Sequence, residues 1–144
     1  MGKEGIKLKT AIYARVSTGL QAVEGTSLDT QVEICTEKAN QLGLYQLEIY
    51  NESGASGEDI ERPEMDRLRQ DIAQGKIVKV ICVHPDRLSR NLVDKLIVCG
   101  EMERNEVELI FCDAEYQNTP EGQLFFNMQS AIAQYELSMI RKRT

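Results

Sequence analysis

The chain has 144 residues, which is enough for one domain with an apolar core of its own. Its apolar share of 42% is ordinary for a globular protein, and no stretch approaches the roughly 20 apolar residues that span a bilayer. The net charge of −6 argues against a self-sufficient nucleic-acid-binding domain, because such domains are usually basic, so a DNA-binding interpretation depends on local charge or on a second module.

The first part of the chain alternates between strand and helix patterns. Ile12 lies in an alternating run typical of a strand, whereas Val32, Cys35 and Ala39 recur at helical spacing. The sequence predicts a strand over 8–14, a polar loop over 17–26, a helix from Leu28 that Thr26 or Ser27 caps and Gly43 ends, a strand over 44–50 and a loop over 51–61.

The second part of the chain continues this alternation. Pro63 suits the first residue of a helix that Gly75 ends. Residues 77–83 are nearly all apolar and β-branched, which predicts a strand buried on both faces. Beyond His84 the sequence predicts a helix from about Asn91, a strand over 107–112, a short extended piece over 114–117 and a long helix from Thr119 onward.

The order of these elements predicts an α/β sandwich around a mainly parallel sheet, in one domain over residues 1–144. The last helix, over about 119–144, still continues in the basic tract at 141–143, so we expect a domain cut from a longer protein. Its apolar stripe has two interpretations. Either it covers the sheet, or the helix, at roughly 37 Å for about 25 residues, projects and pairs with a partner's helix.

Polar side chains collect where the predicted strands end. Ligands of parallel sheets bind outside the carboxyl ends of the strands. We therefore expect one hydroxyl, several guanidinium groups and one carboxylate at a single sheet edge. Strand one leads to Arg15 and Ser17, the loop after strand two contains Arg62, and strand three leads to Asp86, Arg87 and Arg90.

These residue types suit a phosphate site. Guanidinium groups are planar, permanently charged donors for phosphate oxygens. A hydroxyl beside them could attack phosphorus while they stabilise the developing charge, and Asp86 could orient an arginine or transfer a proton. The alternative is an ordinary surface with Arg–Asp pairs. His84, the only histidine, is either a base or simply a residue at a strand end.

No pattern in the sequence predicts a metal or a nucleotide cofactor. Residues 54–57 lack the Lys-Ser/Thr of a phosphate-binding loop. One histidine and four separated cysteines leave little for a zinc site, so we expect a metal-free mechanism and reduced, packed thiols in a cytoplasmic protein without a signal peptide. The cysteines are Cys35, Cys82, Cys99 and Cys112.

Two short segments carry a family resemblance. YARVST at 13–18 resembles the signature of the resolvase/invertase family of serine recombinases, and DRLSR at 86–90 resembles its second signature. Gln31 fits the family's glutamine in the first helix. GASG at 54–57 followed by Arg62 is similar to the catalytic domain of large serine recombinases, and AIAQYE at 131–136 is similar to the start of their dimer helix. The likeness covers nearly the whole chain and is nearest to recombinases that excise elements during sporulation and to transposon and phage integrases.

The resemblance implies a role for each site residue. Ser17 would attack the DNA phosphodiester, leaving a 5′-phosphoserine link and a free 3′-hydroxyl, before strand exchange and religation. Arg15, Arg87 and Arg90 would bind the scissile phosphate, Asp86 would orient them, and Gln21, Gln31, Arg62 and Arg143 would support the site. No cofactor or metal is implied. The implied partners are double-stranded DNA at a recombination site and further copies of the chain, as a homodimer or homotetramer.

The resemblance also implies a fold, and the chain departs from the family in places. The implied fold is a three-layer α/β/α sandwich with five strands in flavodoxin-like order, the last antiparallel. The family's aspartate after strand two is replaced by Asn51 or Glu52, and a lysine of its second helix falls at Asp71. No DNA-binding module follows, so we expect weak DNA binding. Two other functions stay open: a phosphate- or nucleotide-binding enzyme, and a non-catalytic dimerisation domain, each on a flavodoxin-like fold.

Overall fold

The computed structural model describes residues 8–16, 27–53, 62–89, 92–113 and 119–143. Four strands and five helices alternate along these residues. The strands are β1 (Lys9–Arg15), β2 (Leu47–Glu52), β3 (Ile77–Cys82) and β4 (Glu108–Phe111). The helices are α1 (Leu28–Gln41), α2 (Pro63–Ala73), α3 (Pro85–Leu88), α4 (Leu92–Arg104) and α5 (Pro120–Arg143).

The four strands form one parallel sheet in the order β2-β1-β3-β4. Ile12 on β1 is paired with Ile49 on one side and Ile81 on the other, so β1 and β3 are central. This order is the flavodoxin-like one that we expected. The described sheet has four parallel strands, whereas we expected five with the last antiparallel. The extended piece predicted over 114–117 lies outside the described residues, so the fifth strand stays a prediction.

Helices cover both faces of the sheet, which makes the three layers expected of this class. On one face Cys35 and Ala39 of α1 pack against Ile12 and Ile81. The other face carries the larger cluster, in which α2, α4 and the start of α5 contact β1 and β3. Successive residues of β1 point to opposite faces and both faces are covered, so every residue of the strand after Lys9 is buried.

The ends of α1 explain an error in the predicted start of β2. Ser27 caps the helix by accepting a hydrogen bond from the Thr30 amide at 3.2 Å, as one of the two predicted caps. Gly43 follows with a positive φ of 75°, and the Leu44 amide then donates back to Ala39 at 2.9 Å. Leu44 therefore belongs to the helix-ending turn, and β2 begins at Leu47 instead of residue 44.

The segment after β3 contains a short helix that the sequence patterns did not predict. Pro85 starts α3, where its missing amide hydrogen is no loss, and the Arg87 amide donates to His84 at 2.9 Å. Four residues are too few to produce a recognisable helical period, so the sequence predicts no helix between the end of β3 and the helix that begins at about Asn91.

The apolar stripe of the final helix is buried in the first half of the helix and exposed in the second, and pairing with a partner's helix stays a prediction. Near its start Phe125 is fully buried and packs edge-on against Phe111 and Phe126. Farther along, Tyr135, Leu137 and Ile140 are exposed. The first half of α5 thus covers the sheet, while the second half presents apolar side chains to solvent. No helix in the described part of the chain is both long and apolar enough to cross a membrane.

Candidate active site

The carboxyl ends of the two central strands bring two arginines together. Arg15 ends β1 and is only 3% exposed, and Arg87 lies in α3 directly beyond β3. The Arg15 Nε donates to the Arg87 carbonyl at 3.1 Å, and the Arg87 Nη1 donates to the Arg15 carbonyl at 3.4 Å. Each guanidinium thus holds the backbone of the other residue, so two positive charges are fixed at one edge of the sheet.

Gln31 fixes the backbone of Arg15 from the neighbouring helix. Its side chain is fully buried, accepts from the Arg15 amide at 3.2 Å and donates to the Arg15 carbonyl at 3.0 Å. A side-chain amide provides one acceptor and one donor group, and here both engage a single residue. Gln31 therefore sets the path of the chain at Arg15, two positions before Ser17.

Arg62 joins this edge from the start of α2. Its Nη2 donates to the Leu88 carbonyl and, at 3.3 Å, to the Tyr13 hydroxyl, and its guanidinium carbon lies 5.9 Å from the centre of the Tyr13 ring. Arg62 therefore links the ends of β1 and β3, which is where the sequence analysis expected it.

Glu52 is the buried carboxylate of this region. It is 2% exposed at the end of β2 and accepts from the Tyr13 hydroxyl at 3.0 Å. It also accepts from the amides of Glu64 and Met65 at 3.2 and 2.9 Å, so it caps α2 from a neighbouring strand. Of the two candidates for the family's aspartate, the structure therefore gives these contacts to Glu52.

Tyr13 is a member of the cluster that the sequence analysis did not select. Burial raises the pKa of the Tyr13 hydroxyl well above its ordinary value, with Arg62 opposing that shift and Glu52 adding to it. The hydroxyl therefore keeps its proton and donates to Glu52. The only available signal was its place two residues before Arg15 on the same face of a strand.

The structure describes the side chains of only some of the predicted site residues. Arg15, Gln31, Arg62 and Arg87 meet at the edge described above. The backbone of Asp86 lies in α3 and that of Arg143 ends α5, roughly 27 Å along the helix from Phe125, but their side chains are outside the described residues. The described residues also do not include Ser17, Gln21 or Arg90.

His84 has a structural partner at the same edge. Its Nε2 lies 3.9 Å from the Asp113 carboxylate, which follows β4, and its carbonyl accepts from the Cys82 thiol at 3.4 Å. Across the described ranges, no group of three or more His, Cys, Asp or Glu side chains is arranged to hold a metal ion. The metal-free mechanism stays a prediction.

Comparison with protein families gives a match along most of the chain. The family model "Resolvase, N terminal domain" matches residues 10–144. The "Putative DNA recombinase" of Bacillus subtilis (strain 168) is 48% identical over 134 residues, which are 93% of this chain and 26% of that protein. The Tn3 transposon resolvase of Escherichia coli is 31% identical over 133 residues, covering 92% of this chain and 65% of the resolvase. The chain thus spans less than two thirds of either relative.

Solved structures give the same result for the fold. The N-terminal catalytic domain of TP901-1 integrase superposes with a TM-score of 0.68 at 36% identity, covering 91% of this chain and 98% of that domain. A resolvase-family site-specific recombinase from Streptococcus pneumoniae gives a TM-score of 0.62 at 30% identity, with 95% and 93% covered.

Proposed function

The chain belongs to the resolvase family, and on that premise we propose that it is the catalytic domain, over residues 1–144, of a site-specific DNA recombinase. One observation carries the proposal. Arg15 and Arg87 come from distant parts of the sequence and hold each other's backbone at the carboxyl edge of the sheet. Paired guanidinium groups are suited to a phosphodiester, because they donate to its oxygens and offset its charge.

The proposed reaction is a transesterification by Ser17. The Ser17 hydroxyl gives up its proton and its oxygen bonds to phosphorus, while the bond from phosphorus to the 3′-oxygen breaks and that oxygen takes up a proton. The 5′-phosphate becomes linked to the serine and a 3′-hydroxyl leaves. Arg15, Arg87 and Arg90 offset the charge that develops on the phosphate oxygens, and Asp86 orients them. Religation reverses these steps with a different 3′-hydroxyl, so no cofactor, metal ion or external energy source is needed.

The buried polar residues act as positioning residues in this proposal. Gln31 determines the direction in which the chain leaves β1 toward Ser17, because it holds both backbone groups of Arg15. Glu52 and Tyr13 hold Arg62 against the end of β3 through a chain of hydrogen bonds. Gln21 and Arg143 complete the set by contacting DNA.

The proposed partners are double-stranded DNA and further copies of the chain, as a dimer that pairs into a tetramer. Support for self-association comes from an apolar groove between α4 and α5, in which Val93 is 62% and Ile97 is 48% exposed. Ile132 of α5 lies on the opposite wall. Apolar surface of this kind at a helix pair suits a second apolar helix.

The net charge of −6 means that this domain alone binds DNA weakly in our proposal, because affinity for DNA depends on neutralising phosphates. The affinity would come from a DNA-binding module elsewhere in the full protein. The proposed compartment is the cytoplasm, where DNA is accessible and where the free thiols of the four cysteines are stable.

Covalent trapping on DNA tests the proposal. The chain is fused to a sequence-specific DNA-binding module and offered a crossover site with a nick that prevents religation. We expect a protein–DNA adduct that Ser17→Ala abolishes and that Ser130→Ala, an exposed position on α5, leaves unchanged. An adduct that persists in Ser17→Ala would contradict the assignment of the nucleophile. Complete absence of an adduct with the unsubstituted chain would favour a nucleotide-binding or purely dimerising function.

A further inference from the structure

Two cysteines on one face of the sheet lie close to each other. Cys35 belongs to α1, and Cys112 immediately follows β4. Their Sγ atoms are 3.9 Å apart, which is within hydrogen-bond distance for sulfur. The backbone at Cys112 is fixed, because its amide donates to the Cys82 carbonyl at 3.0 Å as a continuation of the sheet. The two thiols thus form a preassembled pair that the active-site geometry does not use.

The two thiols of this pair differ in exposure and in acidity. Cys35 is fully buried, whereas Cys112 is partly exposed and can meet a small solute. The hydrogen bond with Cys35 holds the pKa of Cys112 below its ordinary value despite partial burial, and the Lys38 ammonium acts in the same direction. The same hydrogen bond raises the pKa of Cys35. Cys112 is therefore the thiol that ionises first, and the thiolate is the reactive form.

The other two cysteines provide an internal contrast. Cys82 and Cys99 are almost completely buried, and burial raises the pKa of each to about 12. Neither is accessible or ionised near neutral pH, so oxidants should leave them unchanged.

We propose that Cys112 is an oxidation site for hydroperoxides and that Cys35 resolves it to an intramolecular disulfide. In the first step the Cys112 sulfur attacks one peroxide oxygen, the O–O bond breaks, and the departing oxygen takes up a proton and leaves as water, or as an alcohol from an organic peroxide. In the second step the Cys35 sulfur attacks the resulting sulfenic acid, the S–O bond breaks, and the thiol proton leaves with the hydroxyl as water. The peroxide gains the two electrons that the thiols lose.

The disulfide would act on the arginine edge through α1. Closing the pair brings the sulfur atoms from 3.9 Å to about 2.05 Å. Because the sheet holds the backbone at Cys112, any part of this approach that side-chain rotation does not provide comes from a shift of α1. Gln31 lies one turn before Cys35 on the same face of that helix and holds the backbone of Arg15. Oxidation therefore disturbs the residue that leads to Ser17. This consequence, unlike the oxidation itself, rests on the proposed function.

Mass spectrometry tests the oxidation without DNA. After treatment with hydrogen peroxide we expect the chain to lose the mass of two hydrogen atoms, and peptide mapping to give a Cys35–Cys112 cross-link. Cys35→Ala should instead gain one oxygen at Cys112 that a sulfenic-acid reagent traps. Cys112→Ala should show neither change, and Cys99→Ala should react like the unsubstituted chain.

Three results would overturn the oxidation site: unchanged mass, a cross-link involving Cys82 or Cys99, or a disulfide between two chains only.

The effect on the arginine edge is tested separately with the nicked DNA substrate. Oxidised chain should form adduct about tenfold more slowly or worse, with recovery on reduction by dithiothreitol. Cross-linked chain with an unchanged rate would overturn the link through α1. Reduced chain without any adduct would instead count against the proposed function and leave the mass result standing.

Discussion

At the scale of single residues, the sequence and the family resemblance indicate the arginines, Gln31 and the position of Glu52, but neither Tyr13 nor the contacts that Glu52 makes. Arg15, Arg62 and Arg87 could be predicted because parallel strands bring their carboxyl ends, and the residues that follow them, to one edge of the sheet. Tyr13 and the contacts of Glu52 could not be predicted, because they depend on a hydrogen bond between two residues that lie on different strands, 39 positions apart in sequence. Patterns in a single sequence indicate the spacing of residues within one helix or strand. This bond depends instead on how β1 and β2 are aligned in the sheet.

Glu52→Ala should destabilise the chain strongly. The change removes the acceptor of the Tyr13 hydroxyl and of two helix amides, in surroundings that are buried for Tyr13 and Met65 and partly buried for Glu64. Hydrogen bonds to a charged group contribute about 1.5–3 kcal/mol each, and the losses are not additive, so we expect about 3–4 kcal/mol less free energy of unfolding. Urea denaturation of both proteins measures this difference in the free energy of unfolding.

Two variants make that measurement specific. Glu52→Gln keeps the shape and one acceptor, so its loss should be about half as large. Glu33→Gln changes an exposed glutamate of α1 and should stay within about 0.5 kcal/mol of the unsubstituted chain. Equal stability of Glu52→Ala and Glu33→Gln would contradict the capping role of Glu52.

Gln31→Met should lower stability and impair the proposed cleavage together. Methionine has nearly the shape of glutamine but cannot hydrogen-bond both backbone groups of Arg15. We expect about 2–3 kcal/mol less free energy of unfolding and, at a temperature where the variant is folded, adduct formation slowed about tenfold or more. The exposed Gln41→Met is the matched control at the end of the same helix. A fully active Gln31→Met would show that the path of the chain at Arg15 does not need this amide.

At the scale of elements, α2 shows how side chains attach a helix to a strand. Arg67 lies 4.0 Å from the centre of the Tyr50 ring and donates to the Ile49 carbonyl at 3.0 Å, both on β2. Asp71 accepts from the Tyr50 hydroxyl at 2.5 Å, and burial is the main cause that raises the pKa of that hydroxyl, so it keeps its proton. Asp71, which stands where the resemblance places a lysine, thus helps to attach α2 to β2. The helix itself was predictable from Pro63 and Gly75, but its attachment was not.

Glu48 should make the stability of this region depend on acid pH. It lies 3.0 Å from the Lys9 ammonium and 3.1 Å from the Arg67 guanidinium, and Lys9 is the larger cause of its lowered pKa. Because the folded-state pKa is below the unfolded one, near 4.3, the stabilisation is complete above that value and is lost as pH falls through the folded-state pKa.

Urea denaturation of Glu48→Gln across pH tests this expectation. The side chain is partly exposed, so the loss at pH 7 should be at most about 1 kcal/mol. The difference from the unsubstituted chain should shrink toward pH 3. The exposed Glu37→Gln on α1 should show no such trend. A difference that grows on acidification would mean that the lowered pKa is wrong.

At the scale of the whole molecule, the class of fold followed from the alternation of elements, because helices between parallel strands leave few topologies. The strand order could be stated only through the resemblance. Pattern alone does not say that β1 lies between β2 and β3. Pattern alone also does not say which part of α5 is buried. One continuous apolar stripe packs into the core around Phe125 and is exposed around Tyr135.

Ile97→Arg should weaken the proposed self-association without unfolding the domain. The side chain is half exposed in the groove between α4 and α5, so a charge there is tolerated in the monomer but is desolvated beneath a second chain. Sedimentation should show a dissociation constant raised about tenfold or more, with nearly unchanged thermal unfolding. Tyr45→Arg changes an 83% exposed residue elsewhere and should have no effect. Identical dimerisation of both variants would place the interface on another surface.

The reciprocal hydrogen bonds between Arg15 and Arg87 join positions 72 residues apart, so they exist only when β3 has paired with β1. During synthesis the segment with Ser17 leaves the ribosome long before its partner strand does. A growing chain that ends before residue 77 therefore contains Ser17 but lacks β3 and Arg87. Under the proposed function, a prematurely terminated product of this kind cannot cleave DNA. The paired guanidinium groups that cleavage needs are not assembled until β3 completes the centre of the sheet.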